Sequence, residues 1–436
     1  MTNSAQAGRY QPRAAWAMTA MMLLFMLVNF LDKVALGMVA VPLMAELHMS
    51  PAQFGLIAGS FYWVFSISAI IVGFLSARIA TRWMLLVMGV AWAVLQLPIA
   101  FAGGAVTILL CRVLLGVAEG PAFPVSVHAL YKWFPDEKRS LPVAVISQGA
   151  CLGLLLAGLL IPLVTHRWGW RMNFVVLGAA GGLWSVMWAC VGREGQLDER
   201  RWHASTLNAD SGVTVARLPY RKILRDPSVL ALLLLGFAAY WMLGLTLTWL
   251  PAYLQKGLGF DSVSAGRWFA LVVIAAMPVT VGLSWLSQRM LKRGATTRAA
   301  RARLVCLCAL TSAVILIVLV ATGLPAGQKA VLFALAGALS PLAITLGPVM
   351  LGEMVPASQC AALVAIFTAV GNVAGAIAPA VMGRLVQTHG AADAHGYEAG
   401  ILCGAVLLVV AAFAGLRWLY PGRSRQTLML GSAPAS

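Results

Sequence analysis

The chain alternates between long apolar runs and short polar connectors, and the lengths of the runs decide how it is read. A helix that crosses a bilayer needs about 20 apolar residues, and more when it is tilted. From Ala15 onward, twelve runs meet that length: 15–45, 52–76, 83–102, 105–131, 141–165, 170–192, 227–254, 263–288, 304–323, 328–354, 359–387 and 399–420. The first, run 1, is overlong for one crossing, which predicts tilt or an end that projects past the lipid. One long polar stretch interrupts the series, Gly192 to Arg225, with Arg193, Arg200, Arg201, Arg217, Arg221, Lys222 and Arg225. It divides the runs into two sets of six. The expected organisation is a six-helix bundle over 1–192, a cytoplasmic linker over 193–225, and a second six-helix bundle with a cytoplasmic tail over 226–436. An echo between the sets supports two homologous halves. Gly73-Phe74-Leu75-Ser76-Ala77-Arg78 closes run 2 and Ser284-Trp285-Leu286-Ser287-Gln288-Arg289 closes run 8, both reading aromatic-Leu-Ser-x-Arg. The fold class expected is therefore an all-α membrane protein of twelve transmembrane helices in two pseudo-symmetric bundles.

Composition agrees with lipid as the main solvent. Only 10% of the 436 residues are charged and 61% are hydrophobic, against about 25% charged in a soluble domain. The net charge of +17 would suit nucleic-acid binding, but the basic residues sit in short connectors between apolar runs, so no nucleic-acid partner is expected. Their placement instead sets an orientation. If the N-terminus is cytoplasmic and the sides alternate, 23 of the 31 Lys and Arg fall on the cytoplasmic side. Six fall outside (Arg167, Arg171, Lys256, Arg267, Lys329 and Arg384), and Lys33 and Arg112 are left within helices. Such asymmetry predicts both termini in the cytoplasm. The polar segment Met1 to Arg13 shows no signal-cleavage pattern, so run 1 is expected to stay as a helix. The seven cysteines lie in apolar segments and suggest neither a disulfide frame nor a metal site. No cofactor is expected. The connectors offer no pairing of nucleophile and base, which argues against an enzyme.

Against this background the buried charges carry the chemistry. Asp32 and Glu119 lie deep in run 1 and run 4 with Lys33 and Arg112, each acid costing at least about 2.5 kcal/mol on insertion scales. Arg112 and Glu119 are two helical turns apart and should share a face. Desolvation favours the protonated form of a carboxylic acid, which makes Asp32 and Glu119 candidate proton carriers. Lys33 and Arg112 could attract an anion, with Arg the better fit to a carboxylate. A purely structural ion-pair network is the plainer reading of the same four residues. Tyr62, Trp63, Gln148, Tyr240, Thr246, Thr248, Thr368 and Asn372 could line a cavity or only bind helices together. Gly116, Gly120, Pro121 and Pro124 in run 4, and Gly371, Gly375, Pro379 and Gly383 in run 11, allow close packing and kinks.

These residues also resemble a known family. Asn29-Phe30-Leu31-Asp32-Lys33 is similar to the N-Y-L-D-R motif of helix 1 in bacterial anion:cation symporters of the major facilitator superfamily. Arg112-x6-Glu119-Gly120-Pro121-Ala122-Phe123-Pro124, Trp133-Phe134-Pro135 with Lys138-Arg139, Gly169-Trp170-Arg171, Trp249-Leu250-Pro251-Ala252-Tyr253-Leu254 and Gly371-Asn372-x-x-Gly375 resemble further motifs of that group, in order. The resemblance implies a central site, alternating access, and proton-coupled import of a small organic anion by a monomer in the bacterial inner membrane. It implies Asp32 and Glu119 as proton-coupling acids, Lys33 and Arg112 as the substrate-anion side, and Asn372 as a substrate hydrogen-bonder. By alignment Phe65 stands where the family has a pocket Tyr and Ala69 where it has Gln, a less polar pocket that favours a less hydroxylated carboxylate. Arg78, Arg82 and Arg289 belong to the gating loops, but Ala77 and Gln288 stand where the family carries latch acids. Two other readings remain, an exporter of a drug or metabolite and a transporter-like sensor. The G-P-x-x-G-G motif of drug antiporters is absent from run 5.

Overall fold

The computed structural model describes residues 11–75, 78–195, 218–390 and 394–430. Ala77 and most of the 193–225 linker therefore lie outside the described residues. Among those described the secondary structure is helical throughout, and twelve helices are long and apolar enough to cross a membrane. They are helix 1 (Pro12–Met38), helix 2 (Pro51–Leu75), helix 3 (Thr81–Ala100), helix 4 (Ala105–Tyr131), helix 5 (Ser140–Trp168) and helix 6 (Trp170–Val191) in the first half. The second half holds helix 7 (Pro227–Thr248), helix 8 (Ser262–Lys292), helix 9 (Arg298–Ala321), helix 10 (Ala326–Met354), helix 11 (Gln359–His389) and helix 12 (Ala394–Trp418). Helix 13, Pro421–Leu430, follows.

Several crossings are broken where proline removes a backbone donor. Run 1 does not continue to residue 45. Helix 1 ends at Met38, Val39 leaves helical geometry (φ −101°, ψ 11°), and a separate helix covers Ala40–Glu46. Pro42 cannot donate to the carbonyl of Met38, which is where the helix stops. Helix 4 breaks at Gly120-Pro121 and helix 10 at Ser340-Pro341, so the corresponding members of the two halves share a discontinuity. Helix 7 similarly gives way at Trp249 (φ −115°) beside Pro251. Helix 2 loosens into turns over Phe61–Val64.

By internal contacts the chain forms two compact units, one of residues 1–39 with 63–214 and the other of residues 40–62 with 215–436. The boundary passes through helix 2. In the first unit, helix 1 lies against helix 5 along Gly149 and Gly153. A β-carbon there would stand 2.6 Å from the Leu23 carbonyl oxygen and 2.4 Å from that of Leu27. In the second unit, the first part of helix 2 packs on helix 11 in the same way. Gly55 and Gly59 bring that backbone to the Pro379 and Ala376 carbonyl oxygens, each 2.2 Å from where a β-carbon would be.

Candidate functional site

The geometry of helix 1 places Asn29, Asp32 and Lys33 at positions i, i+3 and i+4, one above another on a single face. Asn29 and Asp32 are each 2% exposed, and the Lys33 side chain is 10% exposed. Arg112 and Glu119 are both buried on helix 4, as expected of residues two turns apart. Helix 4 is held close to helix 2 because Gly120 has no side chain. A β-carbon there would lie 2.2 Å from the Phe65 carbonyl oxygen.

The four charges form one cluster inside the first unit. Asn29 Nδ2 donates to Glu119 Oε2 at 2.9 Å, and Lys33 Nζ lies 3.9 Å from the same oxygen. Gln96 Nε2, on helix 3, donates to Asp32 Oδ1 at 2.5 Å. Lys33 Nζ also stands 4.5 Å from the ring centre of Phe30 and 4.9 Å from that of Phe65. Glu119 lies in the fields of Asp32, Lys33 and Arg112. Asp32 Oδ2 and Glu119 Oε1 have no hydrogen-bond donor among the described residues. Each acid thus has one oxygen fixed by an amide and one oxygen open to a proton.

The remaining candidates separate by unit. Phe65 joins the charge cluster through Lys33, whereas Trp63 (48% exposed) and Gln148 are exposed. In the second unit, Tyr240 and Tyr62 lie over the glycines of the Gly371-Asn372-x-x-Gly375 segment. A β-carbon at Gly371 would be 2.3 Å from the Tyr240 ring, and one at Gly375 would be 3.3 Å from that of Tyr62. Asn372 between them is buried. The Trp249-Leu250-Pro251 segment is an anchor: Trp249 Nε1 donates to the Pro379 carbonyl at 3.0 Å, and its ring meets Phe54 edge-on. Of the loop residues, Arg78 is exposed and Arg289 stacks on Trp285 at 5.0 Å. Arg82 is tied into its own unit, donating from Nη2 to the Ala189 carbonyl at 3.2 Å.

Three polar partners escaped the sequence reading. Gln96 holds Asp32, but an isolated glutamine on an apolar helix carries no sign of its partner. Glu194, just past helix 6, accepts from the Thr81 hydroxyl at 2.9 Å, the Thr81 amide at 3.1 Å and the Arg82 amide at 2.9 Å, and it pairs with Lys132. It thereby caps the otherwise uncapped start of helix 3. Burial pushes the Glu194 carboxyl up, but the Lys132 ammonium, the Arg82 amide and the Thr81 hydroxyl outweigh burial and hold it below the ordinary glutamate range. Glu398 on helix 12 pairs with Lys329 at 2.5 Å and accepts from the Tyr253 hydroxyl at 3.3 Å.

Comparison with known proteins adds the family. The sequence profile of the Major Facilitator Superfamily matches residues 21–329. A chloroplastic sodium-dependent phosphate transport protein of Arabidopsis thaliana is 30% identical over 283 residues, covering 62% of this chain and 54% of that protein. The hexuronate transporter of Bacillus subtilis is 29% identical, covering 60% of each. The chain spans about half the length of the first curated relatives it matches. Among solved structures, a D-xylose-proton symporter superposes with a TM-score of 0.77 at 15% identity, over 94% of this chain and 99% of that one. That likeness is one of fold.

Proposed function

The chain belongs to the Major Facilitator Superfamily, and from that premise we propose that it is a secondary active transporter that imports a small organic carboxylate together with protons. The observation that carries the reading is the buried cluster of Asp32, Glu119, Lys33 and Arg112, with one oxygen of each acid lacking a donor. Intramembrane ionisable groups of this kind mark ion and proton paths.

The chemistry follows from charge balance. Two acids and two bases at close quarters are neutral as a group. An arriving carboxylate competes with Glu119 for Lys33 and Arg112, since a cation in a dry site needs only one strong counter-ion. Glu119 then loses its compensation and takes up a proton, or shares one with Asp32. Anion and proton thus occupy the site together and leave together, which couples their movement without leaving a bare charge in the membrane. Asn29 and Gln96 hold the acids in place in both states because an amide can donate to a charged or a neutral carboxyl. Phe30 and Phe65 wall the ammonium of Lys33 and make the pocket less polar, which suits a lightly hydroxylated or aromatic acid. By the family resemblance alone, Asn372 is a further candidate for hydrogen bonding to the substrate. Alternating access by two six-helix halves would expose the site to each side in turn.

The experiment is uptake of labelled hexuronates and aromatic carboxylates into proteoliposomes, driven by an inward proton gradient. The wild-type protein should accumulate at least one of them. Glu119→Gln should retain exchange of labelled for unlabelled substrate but lose gradient-driven accumulation by at least about tenfold, the equivalent of 1.4 kcal/mol. If Asp32→Asn and Glu119→Gln both accumulate substrate as the wild type does, the proton assignment is wrong.

A further inference from the structure

Basic residues before helix 7 and the segment after helix 12 meet in a cleft that the transport chemistry does not use. Arg221 and Lys222 lie in the short helix Tyr220–Leu224, Arg225 follows it, and all three are exposed. Together with Pro219, Asp226 and helix 13 residues Thr427 and Leu428, they line a volume of 490 Å³.

The walls of this cleft are fastened. Ser424 on helix 13 donates to Asp226 Oδ1 at 2.8 Å and lies 2.7 Å from the Ser228 hydroxyl. Ser228 donates to the Trp418 carbonyl at 2.9 Å and accepts from the Tyr420 amide at 3.0 Å. The Arg298 guanidinium stacks on Tyr420 and donates to the Leu416 carbonyl at 3.1 Å. Leu428 is 2% exposed. Asp226, the acid in the lining, is occupied: it also accepts from the Ser228 and Val229 amides at the start of helix 7. Its charge is thus largely spent on the helix end, and the free character of the cleft is cationic.

Depth identifies the ligand. Helix 7 begins its crossing at Pro227 and helix 12 ends at Trp418, so the cleft adjoins two membrane boundaries. Tyr220 and Trp418 are 45% and 52% exposed, and exposed aromatic rings at helix ends sit at headgroup level. Leu230, one turn into helix 7, is 51% exposed and offers apolar surface at acyl-chain level. A cationic cleft with an aromatic rim and an apolar flank matches an amphiphile better than a free anion. We propose that this cleft binds the phosphate-bearing headgroup of an anionic phospholipid, with its acyl chains running along helix 7.

The test is native mass spectrometry of the full chain released from detergent with equal amounts of phosphatidylglycerol and phosphatidylcholine. Wild-type protein should keep phosphatidylglycerol in preference. Arg221→Gln with Arg225→Gln should weaken its retention about thirtyfold, from roughly fivefold per basic side chain at an anionic surface. Arg423→Gln with Arg425→Gln removes the same charge from exposed positions outside the cleft and should leave retention unchanged. If the first pair does not fold, Arg221→Lys with Arg225→Lys, which preserves charge, should still retain the lipid. Equal retention of the two lipids, or equal loss in both glutamine pairs, overturns the proposal. Displacement of the lipid by millimolar inorganic phosphate overturns it in favour of a soluble anion.

Discussion

Glu194 shows how a single carboxylate can serve two elements. It supplies the start of helix 3 with acceptors that Ala80 at the cap lacks, and it compensates Lys132 at the end of helix 4. Because its carboxyl titrates below the ordinary glutamate range, its contribution is present above that range and is lost as pH falls through its own lowered value. Glu194→Gln should therefore cost about 1 kcal/mol near neutral pH, a normal capping loss, and the gap should close on acidification. Thermal unfolding of both proteins from neutral pH down to about pH 3, below the ordinary glutamate range, checks this; a gap that widens toward acid would sink it. The membrane cluster follows another rule. Asp32 and Glu119 are each held by one amide, Gln96 or Asn29, so removing either amide would release an acid without changing the charge of the group. Asp32, Lys33, Arg112 and Glu119 could be picked out along the chain because charge is rare there. Gln96 could not, since its role exists only through its distance to Asp32.

At the scale of elements, glycines four residues apart set the closest approaches. Gly149 and Gly153 let helix 5 reach the helix 1 backbone at Leu23 and Leu27, about two and a half and one and a half turns before Asp32. The absent side chains therefore help to position the acid. Gly153→Val should force the helices apart, at an overpacking cost of about 1–3 kcal/mol. It should lower the thermal midpoint of the detergent-solubilised protein, whereas Gly182→Val, at a position with open space on helix 6, should not. Equal effects would refute the packing argument. The helix breaks were partly legible. Pro121 and Pro251 mark them in the sequence, and so does Pro42, yet the overlong run 1 reads as one crossing because hydropathy does not register a lost hydrogen bond. Pro162, by contrast, lies inside an unbroken helix 5, so proline identity alone does not locate a break.

For the whole molecule, the asymmetry of basic residues makes a topological prediction. A reporter fused after Arg425 and one inserted at Lys256 should lie on opposite sides of the membrane, with the basic-rich side cytoplasmic. Paired fusions of a fluorescent protein and a periplasmic phosphatase read this directly, and phosphatase activity at Arg425 would reverse the orientation. The compact units divide the chain differently from a count of helices, because Gly55 and Gly59 join the first part of helix 2 to helix 11. Both elements are plain apolar helices along the chain, and nothing in their periodicity names the partner.

By itself the sequence determined the solvent, the twelve crossings, the family motifs and which buried residues carry charge. Those properties depend on local length and hydropathy, or on residue types too costly to place in lipid without a purpose. The tertiary structure alone decided which amide holds which acid, that Glu119 and Asp32 share one cluster, that Trp249 is an anchor, and that helix 13 closes a basic cleft. Each of those depends on distances between helices far apart in the chain, and the faces of apolar helices look alike until they pack.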